Sequence, residues 1–213
     1  MYKAVIVFFC PRLYLELINA ITGRKAYNQE SRLNAVEEVM NKNDILVRLR
    51  YALDLKDQEM VDIFKLGDLD VTKEAVQKML AKIKTPTTSS EETEEFADNE
   101  YELACDNQTL ESFLNGLIVL KRGKQEPKPG APKKQEFMIK DQRSVNNVLF
   151  KKLKIALSLT SDDILDILDE AGVYLSNSEL SAVLRKEGHR NYKECGDRYA
   201  RNFLKGLTMR YRA

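Results

Sequence analysis

The chain matches itself, and that match limits what it can fold into more than any other feature. Residues 43–55 lie over residues 147–159 at an offset of 104, and the register holds without gaps until Leu80 lies over Leu184. Apolar positions coincide throughout: Ile45 with Leu149, Leu49 with Leu153, Met60 with Ile164, Ile63 with Ile167, Val76 with Leu180. The match resumes at an offset of 90, with Cys105 over Cys195, Phe113-Leu114 over Phe203-Leu204 and Gly116-Leu117 over Gly206-Leu207. The first copy therefore carries 14 extra residues before its last element. A repeated apolar pattern of this length implies a unit used twice.

Each copy reads as four helices. Ile45, Leu46, Leu49, Ala52 and Leu53 share one helical face. Thr160-Ser161-Asp162-Asp163 places a hydroxyl cap before acids at a positive helix end. Ser176-Asn177-Ser178-Glu179 has the capping-box spacing, and Thr72 takes the cap role in the first copy, where Ala75 cannot complete the box. The fourth helix of each copy starts near Asp106-Asn107 or Gly196-Asp197 and runs to about Val119 or Tyr211. No stretch alternates with the period of a strand, so the expected class is all-α: two tandem four-helix repeats, packed on each other or joined as beads. Nine glycines and five prolines are few for 213 residues, which agrees with helix.

Three stretches lie outside the repeat. Residues 1–39 hold one short apolar run, Ala4 to Cys10, ended by Pro11, and nothing later resembles them. Met40 stands directly before a helix-start pattern, so it is the expected natural first residue, with 1–39 an over-called extension. Residues 85–104 are acidic: nine acids and no Lys or Arg lie between Thr85 and Leu120. They read as a solvated loop of the first repeat, residues 40–122. A sharper reading has this loop folding over a basic face and competing with a polyanion. Residues 123–143 contain three prolines and two glycines among charges and read as an exposed linker to the second repeat, residues 144–213. Phe137, Met138 and Ile139 are placed to pin its end onto a helix.

Composition narrows the class further. Apolar residues make up 43% and charged residues 31%, a globular profile. Three cysteines without framework spacing fit a reducing compartment, and no run reaches membrane-spanning length. With no convincing secretory signal, the expectation is a cytoplasmic protein without membrane contact.

The pattern Asn43-Asp44-Ile45-Leu46 with Leu49 to Leu53, then Phe113 to Ile118 with Leu120 to Gly123, resembles the bacterial YehS-like family of uncharacterised proteins. Leu180-Ser181-Ala182, Arg185-Lys186, Gly188-His189, Asn191-Tyr192, Glu194 to Asp197 and Arg201 to Leu204 share the resemblance, which covers about residues 40–213. It implies tandem duplicates of one domain of unknown function, and it supplies no activity.

The two copies are alike in core positions and unlike in charge. On the last helix, Tyr199, Ala200, Phe203, Leu204, Leu207 and Tyr211 project to one side, while Arg198, Arg201, Lys205 and Arg212 cluster on the other. The matching positions of the first copy are Gln108, Glu111, Asn115 and Arg122. Residues 181–213 carry nine Lys or Arg against three acids. The expected ligand surface comprises Arg185, Lys186, His189, Arg190, Asn191, Tyr192, Lys193, Arg198, Arg201 and Lys205. It suits phosphate contact, with Tyr192 to stack on a base, so RNA or DNA is the leading partner. A protein–protein adaptor using the same loop and helix is the alternative, and a merely solvated face the bland one.

Other chemistries fit less well. A helix-turn-helix around Gly172 has an interval about two residues too long, and Glu179 adds little for base edges, which favours backbone contact over base readout. His189 and Cys195 lie in one loop, but a structural zinc site needs four nitrogen or sulfur ligands and the chain has a single histidine. His189 as a general base would need Glu194 or Asp197 to orient it. No glycine spacing forms a phosphate-cradling loop, so neither catalysis nor a cofactor is expected.

Overall fold

The computed structural model describes residues 40–83, 99–124 and 137–212. The expectations about residues 1–39, most of the acidic stretch and the proline-rich linker fall outside the described residues.

Among the described residues eight helices form, for reasons visible at their ends. α1 (Lys42–Ala52) starts where the Asn41 side chain accepts the Asn43 N–H, and its chain turns away at Asp54, whose φ is 51°. α2 (Asp57–Leu66) starts where Glu59 accepts the Lys56 N–H, and α3 (Lys73–Leu80) is capped by Thr72. α4 (Asn107–Arg122) is capped by Asp106 and stops at Gly123, with φ 78°. α5 (Val145–Ala156) follows the linker and turns away at Ser158, φ 55°, the position equivalent to Asp54. α6 (Ser161–Glu170) and α7 (Asn177–Val183) begin with full capping boxes, Thr160 with Asp163 and Ser176 with Glu179. Those cap bonds hold both carboxyls far below the usual range, at about 2. α8 (Asp197–Tyr211) closes the described chain. The class is all-α: among the described residues the only extended pairing is one isolated bridge, Lys82 with Tyr101.

The helices pair across the linker. α4 lies between α2 and α5, and α8 lies between α6 and α1. α1 thus makes its largest contact with the last helix of the other half, and α5 does the same with α4. The two sets of four interlock, which a beads-on-a-string arrangement does not allow. Residues 40–212 belong to one compact unit.

Matching latches close the two cross-half seams. At the C-terminal end of α4, Arg122 donates to the Ile155 carbonyl at 3.3 Å and to Ser158 Oγ at 3.1 Å. At the equivalent end of α8, Arg212 donates to Asp54 at 2.6 Å and lies 4.2 Å from the centre of the Tyr51 ring. The α4–α5 seam also buries an ion pair: Lys152 Nζ meets Glu111 at 3.0 Å, with the two side chains 7% and 1% exposed. Glu111 further accepts the backbone N–H groups of Met138 and Ile139 at 2.7 Å, so the linker's end is pinned by a carboxylate, with Ile139 buried beside it. Phe137 and Met138 remain exposed.

Within each half the core is built around aromatic pairs on the last helix. Phe113 packs against Phe64 of α2 at 5.2 Å, and Phe203 stacks on Phe150 of α5 at 4.4 Å. The partner positions exchange size: Leu168 stands where Phe64 would be, and Leu46 where Phe150 would be. Total volume is kept while the ring moves, which close-packed cores tolerate. α2 and α4 cross at glycines, because a Cβ on Gly116 would sit 1.7 Å from the Ile63 carbonyl oxygen.

Candidate functional site

A buried side chain anchors both ends of the basic loop between α7 and α8. Asn147 on α5 donates to the carbonyls of Val183 and Lys193, each at 2.8 Å, and accepts the Cys195 N–H at 3.0 Å. Asn43 does the same for the other half, donating to Met79 and Leu103 and accepting from Cys105. A primary amide has the right inventory for two carbonyls and one N–H. Each asparagine therefore ties the start of a helix to the loop that precedes the last helix of its half.

Between those anchors the loop makes a tight turn at Gly188, φ 82°. His189 Nδ1 accepts the Asn191 N–H at 3.1 Å and lies 3.3 Å from Arg185 Nη1. The imidazole thus organises the turn, and Glu194 and Asp197 do not orient it. Asp197 is engaged elsewhere, accepting from Asn146 Nδ2 at 2.6 Å and from the Met40 N–H at 2.9 Å. Asp197 thus does not serve as the acid partner that a general-base His189 would need, because the start of α8 uses that carboxylate as a fastener.

The loop's cations divide. Lys193 is drawn to Glu179 at 3.2 Å, and Lys151 of α5 reaches the Arg185 carbonyl. Lys186, Arg190 and Asn191 are exposed, and Arg185 is half-buried. Tyr192, expected as a stacking platform, is half-buried as well, and burial pushes its phenol up. On α8, Arg198 and Lys205 are exposed and Arg201 is half-buried. Arg212 belongs to the latch on α1, and Tyr211, projected onto the buried side, is 45% exposed because the last turn runs past the core.

Cys105 and Cys195 sit at the foot of the last helices, buried, with their thiols pushed up to about 12 by burial and by the neighbouring Asp106 or Asp197. A thiol so unwilling to ionise is a poor metal ligand or nucleophile. Among the described residues no group of three or more His, Cys, Asp or Glu is placed to hold a metal ion. A cavity of about 350 Å³ opens beside the start of α1, lined by Asn41, Lys42, Tyr101 and Gln142 among others. Its polar side chains already have partners, as Lys42 has in Gln142 at 2.9 Å and Tyr101 in Asp44 at 2.6 Å. The six residues 171–176 between α6 and α7, and the seven-residue α7, depart from a compact helix-turn-helix.

A family model described as "Protein of unknown function (DUF1456)" matches residues 42–123 and again 146–213. An Escherichia coli K12 relative, "Uncharacterized protein YehS", is 39% identical over 171 residues, covering 80% of this chain and 96% of the relative. The chain belongs to the DUF1456 family. The two matched DUF1456 segments hold α1–α4 and α5–α8, and the latches at Arg122 and Arg212 join one segment to the other. No solved structure matches this DUF1456 chain. Among the described residues, no helix is long and apolar enough to cross a membrane.

Sequence reasoning missed the residues that α1 contributes beside α8. Arg48 and Tyr51 are exposed on that helix, and Tyr51 lies under the Arg212 guanidinium. Their alignment with Lys152 and Ile155 was the available signal, but that alignment does not say which helix lies opposite.

Proposed function

We propose that this protein is a non-catalytic binding module that holds the phosphate backbone of a nucleic acid on the basic face of its last helix. One observation carries the reading. Arg198 and Lys205 are exposed on one side of α8, and among the described residues neither makes an ion pair, whereas α4 has Gln108 and Asn115 at the same positions. A helix that keeps its apolar side and gains unpaired cations on the other has acquired a surface for anions. The loop cations Lys186 and Arg190 add to the same field at the start of α8. We further infer that the two halves are four-helix repeats descended from one duplicated unit. The recurrence of the Asn43 and Asn147 anchors, the Asp54 and Ser158 turns and the Arg122 and Arg212 latches supports this.

Fluorescence anisotropy of labelled RNA and DNA against salt concentration tests the binding. Phosphate contacts make log K fall by roughly 0.7 to 0.9 per neutralised phosphate for each unit of log salt. The double variant Arg198→Glu with Lys205→Glu should lose at least tenfold in affinity at unchanged thermal stability. A flat salt response would reject the nucleic-acid reading and favour a protein partner held by a mixed interface on the same loop and helix.

A further inference from the structure

One ring nitrogen gathers two donors in the middle of the basic loop. His189 Nδ1 accepts the Asn191 N–H at 3.1 Å, so it carries no proton. The Arg185 guanidinium, which can only donate, approaches the same atom at 3.3 Å. The imidazole is therefore neutral, with its proton on Nε2. A protonated imidazole donates from both nitrogens. It would leave the Asn191 N–H without this acceptor and set a positive ring beside the Arg185 guanidinium, where like charges repel. The turn as it stands admits only the unprotonated ring.

The charged surroundings add to this. Within residues 185–190, Arg185, Lys186 and Arg190 stand against one acid, Glu187. From α5, Lys151 holds the Arg185 carbonyl, and the Glu187 charge acts on Lys151 and on Tyr192. Toward the far end of the loop, Glu194 and Asp141 act on Tyr192, and Glu179 of α7 holds Lys193. The Asn147 anchors on the Val183 and Lys193 carbonyls lie outside the segment that His189 closes. Losing the Nδ1 bond therefore frees the interior of the loop while its ends stay tied. His189 is the chain's only histidine, and histidine is the side chain that ordinarily changes charge between about pH 5 and pH 8. The carboxyls of Asp163 and Glu179, at about 2, and the thiols of Cys105 and Cys195, at about 12, lie well outside that window.

We propose that His189 is a proton-operated clasp on the basic loop: the neutral ring holds the turn that presents Lys186 and Arg190, and protonation releases it and weakens anion binding there. This rests on the reading of α8 and its loop as a surface for nucleic acid, and adds the regulation of that surface. Because the closed turn takes only the neutral ring, proton uptake favours the open one. The turn is held above the pH at which the ring titrates and is lost below it. Added positive charge alone would act the other way, drawing phosphates more strongly as pH falls. The sign of the pH dependence thus separates a clasp from a simple cation.

The test follows the whole chain by nitrogen-15 NMR between about pH 8 and pH 5. At the upper end the ring proton should sit on Nε2. As the ring titrates, the Asn191 amide should lose its hydrogen-bonded shift and, relative to an unstructured amide, exchange with solvent about tenfold faster or more. His189→Asn places Oδ1 where Nδ1 stood and gains no proton, so its Asn191 amide should stay fixed over the same range. Affinity for a labelled RNA of about 15 nucleotides, read by anisotropy at fixed salt, should fall roughly threefold or more in the wild type. That dependence should vanish in His189→Asn. An Asn191 amide that stays put while the ring titrates overturns the clasp, as it would if Glu187 took up the protonated ring. A shift that persists in His189→Asn does so too, and so does an affinity that rises on acidification in the wild type alone. If no RNA binds at either pH, the reading of α8 falls, while an amide that opens with the ring upholds the clasp.

Discussion

Asn147 is 1% exposed, yet its amide is fully used, on two carbonyls and one N–H. Replacing it with leucine would keep much of the volume and leave those three backbone groups without partners. Each such orphan costs about 1–3 kcal/mol, so Asn147→Leu should lower stability by roughly 3 kcal/mol or more in urea unfolding. A loss under about 1 kcal/mol would mean that water or another group takes over. The identity of Asn43 and Asn147 is visible when the chain is laid on itself, but their burial is not, because polar residues seldom sit in a core. Likewise the arginines and lysines of residues 185–193 could be counted, whereas Lys193 turning to Glu179 and His189 serving the turn depend on chain geometry that no spacing encodes.

At the level of single elements, the helices were legible because their ends are written locally. Thr72, Thr160 and Ser176 cap where their hydroxyls stand before a helical pattern, and Asp106 does so before α4. Which helix packs on which was not legible, since an apolar stripe states that a face is buried and leaves its partner open. The α2–α4 crossing shows how demanding such a choice is. A methyl on Gly116 meets the Ile63 carbonyl oxygen at 1.7 Å, while one on Gly206 meets the Ile167 carbonyl oxygen at 2.2 Å. Ala171 replaces Gly67 at the second crossing, which is already slightly wider. Gly116→Ala should therefore cost about 1–3 kcal/mol, the usual price of overpacking, and lower the melting temperature more than Gly206→Ala does. Equal shifts in the two variants would contradict the difference in closeness.

At the largest scale, two seams join the halves of the unit spanning residues 40–212. Glu111 and Lys152 form a buried pair whose members lie on opposite sides of residues 125–136, and Arg212 reaches back to Asp54 across most of the described chain. Cutting the chain within residues 125–136 should therefore leave two fragments that are each poorly folded alone. Mixed or co-expressed, they should assemble one-to-one and recover the helical circular-dichroism signal of the intact protein. A fragment that melts cooperatively by itself would refute this dependence of each half on the other.

The pairing of α1 with α8 also sets an order of events in the cell. α1 leaves the ribosome long before the helix that covers it exists, since about 150 residues separate them. At roughly 5–20 residues per second, that side of α1 waits on the order of ten to thirty seconds. Folding of residues 40–212 must then wait until α8 has emerged. For that interval the apolar side of α1 is open to chaperones, or to α8 of a neighbouring chain that has already been finished.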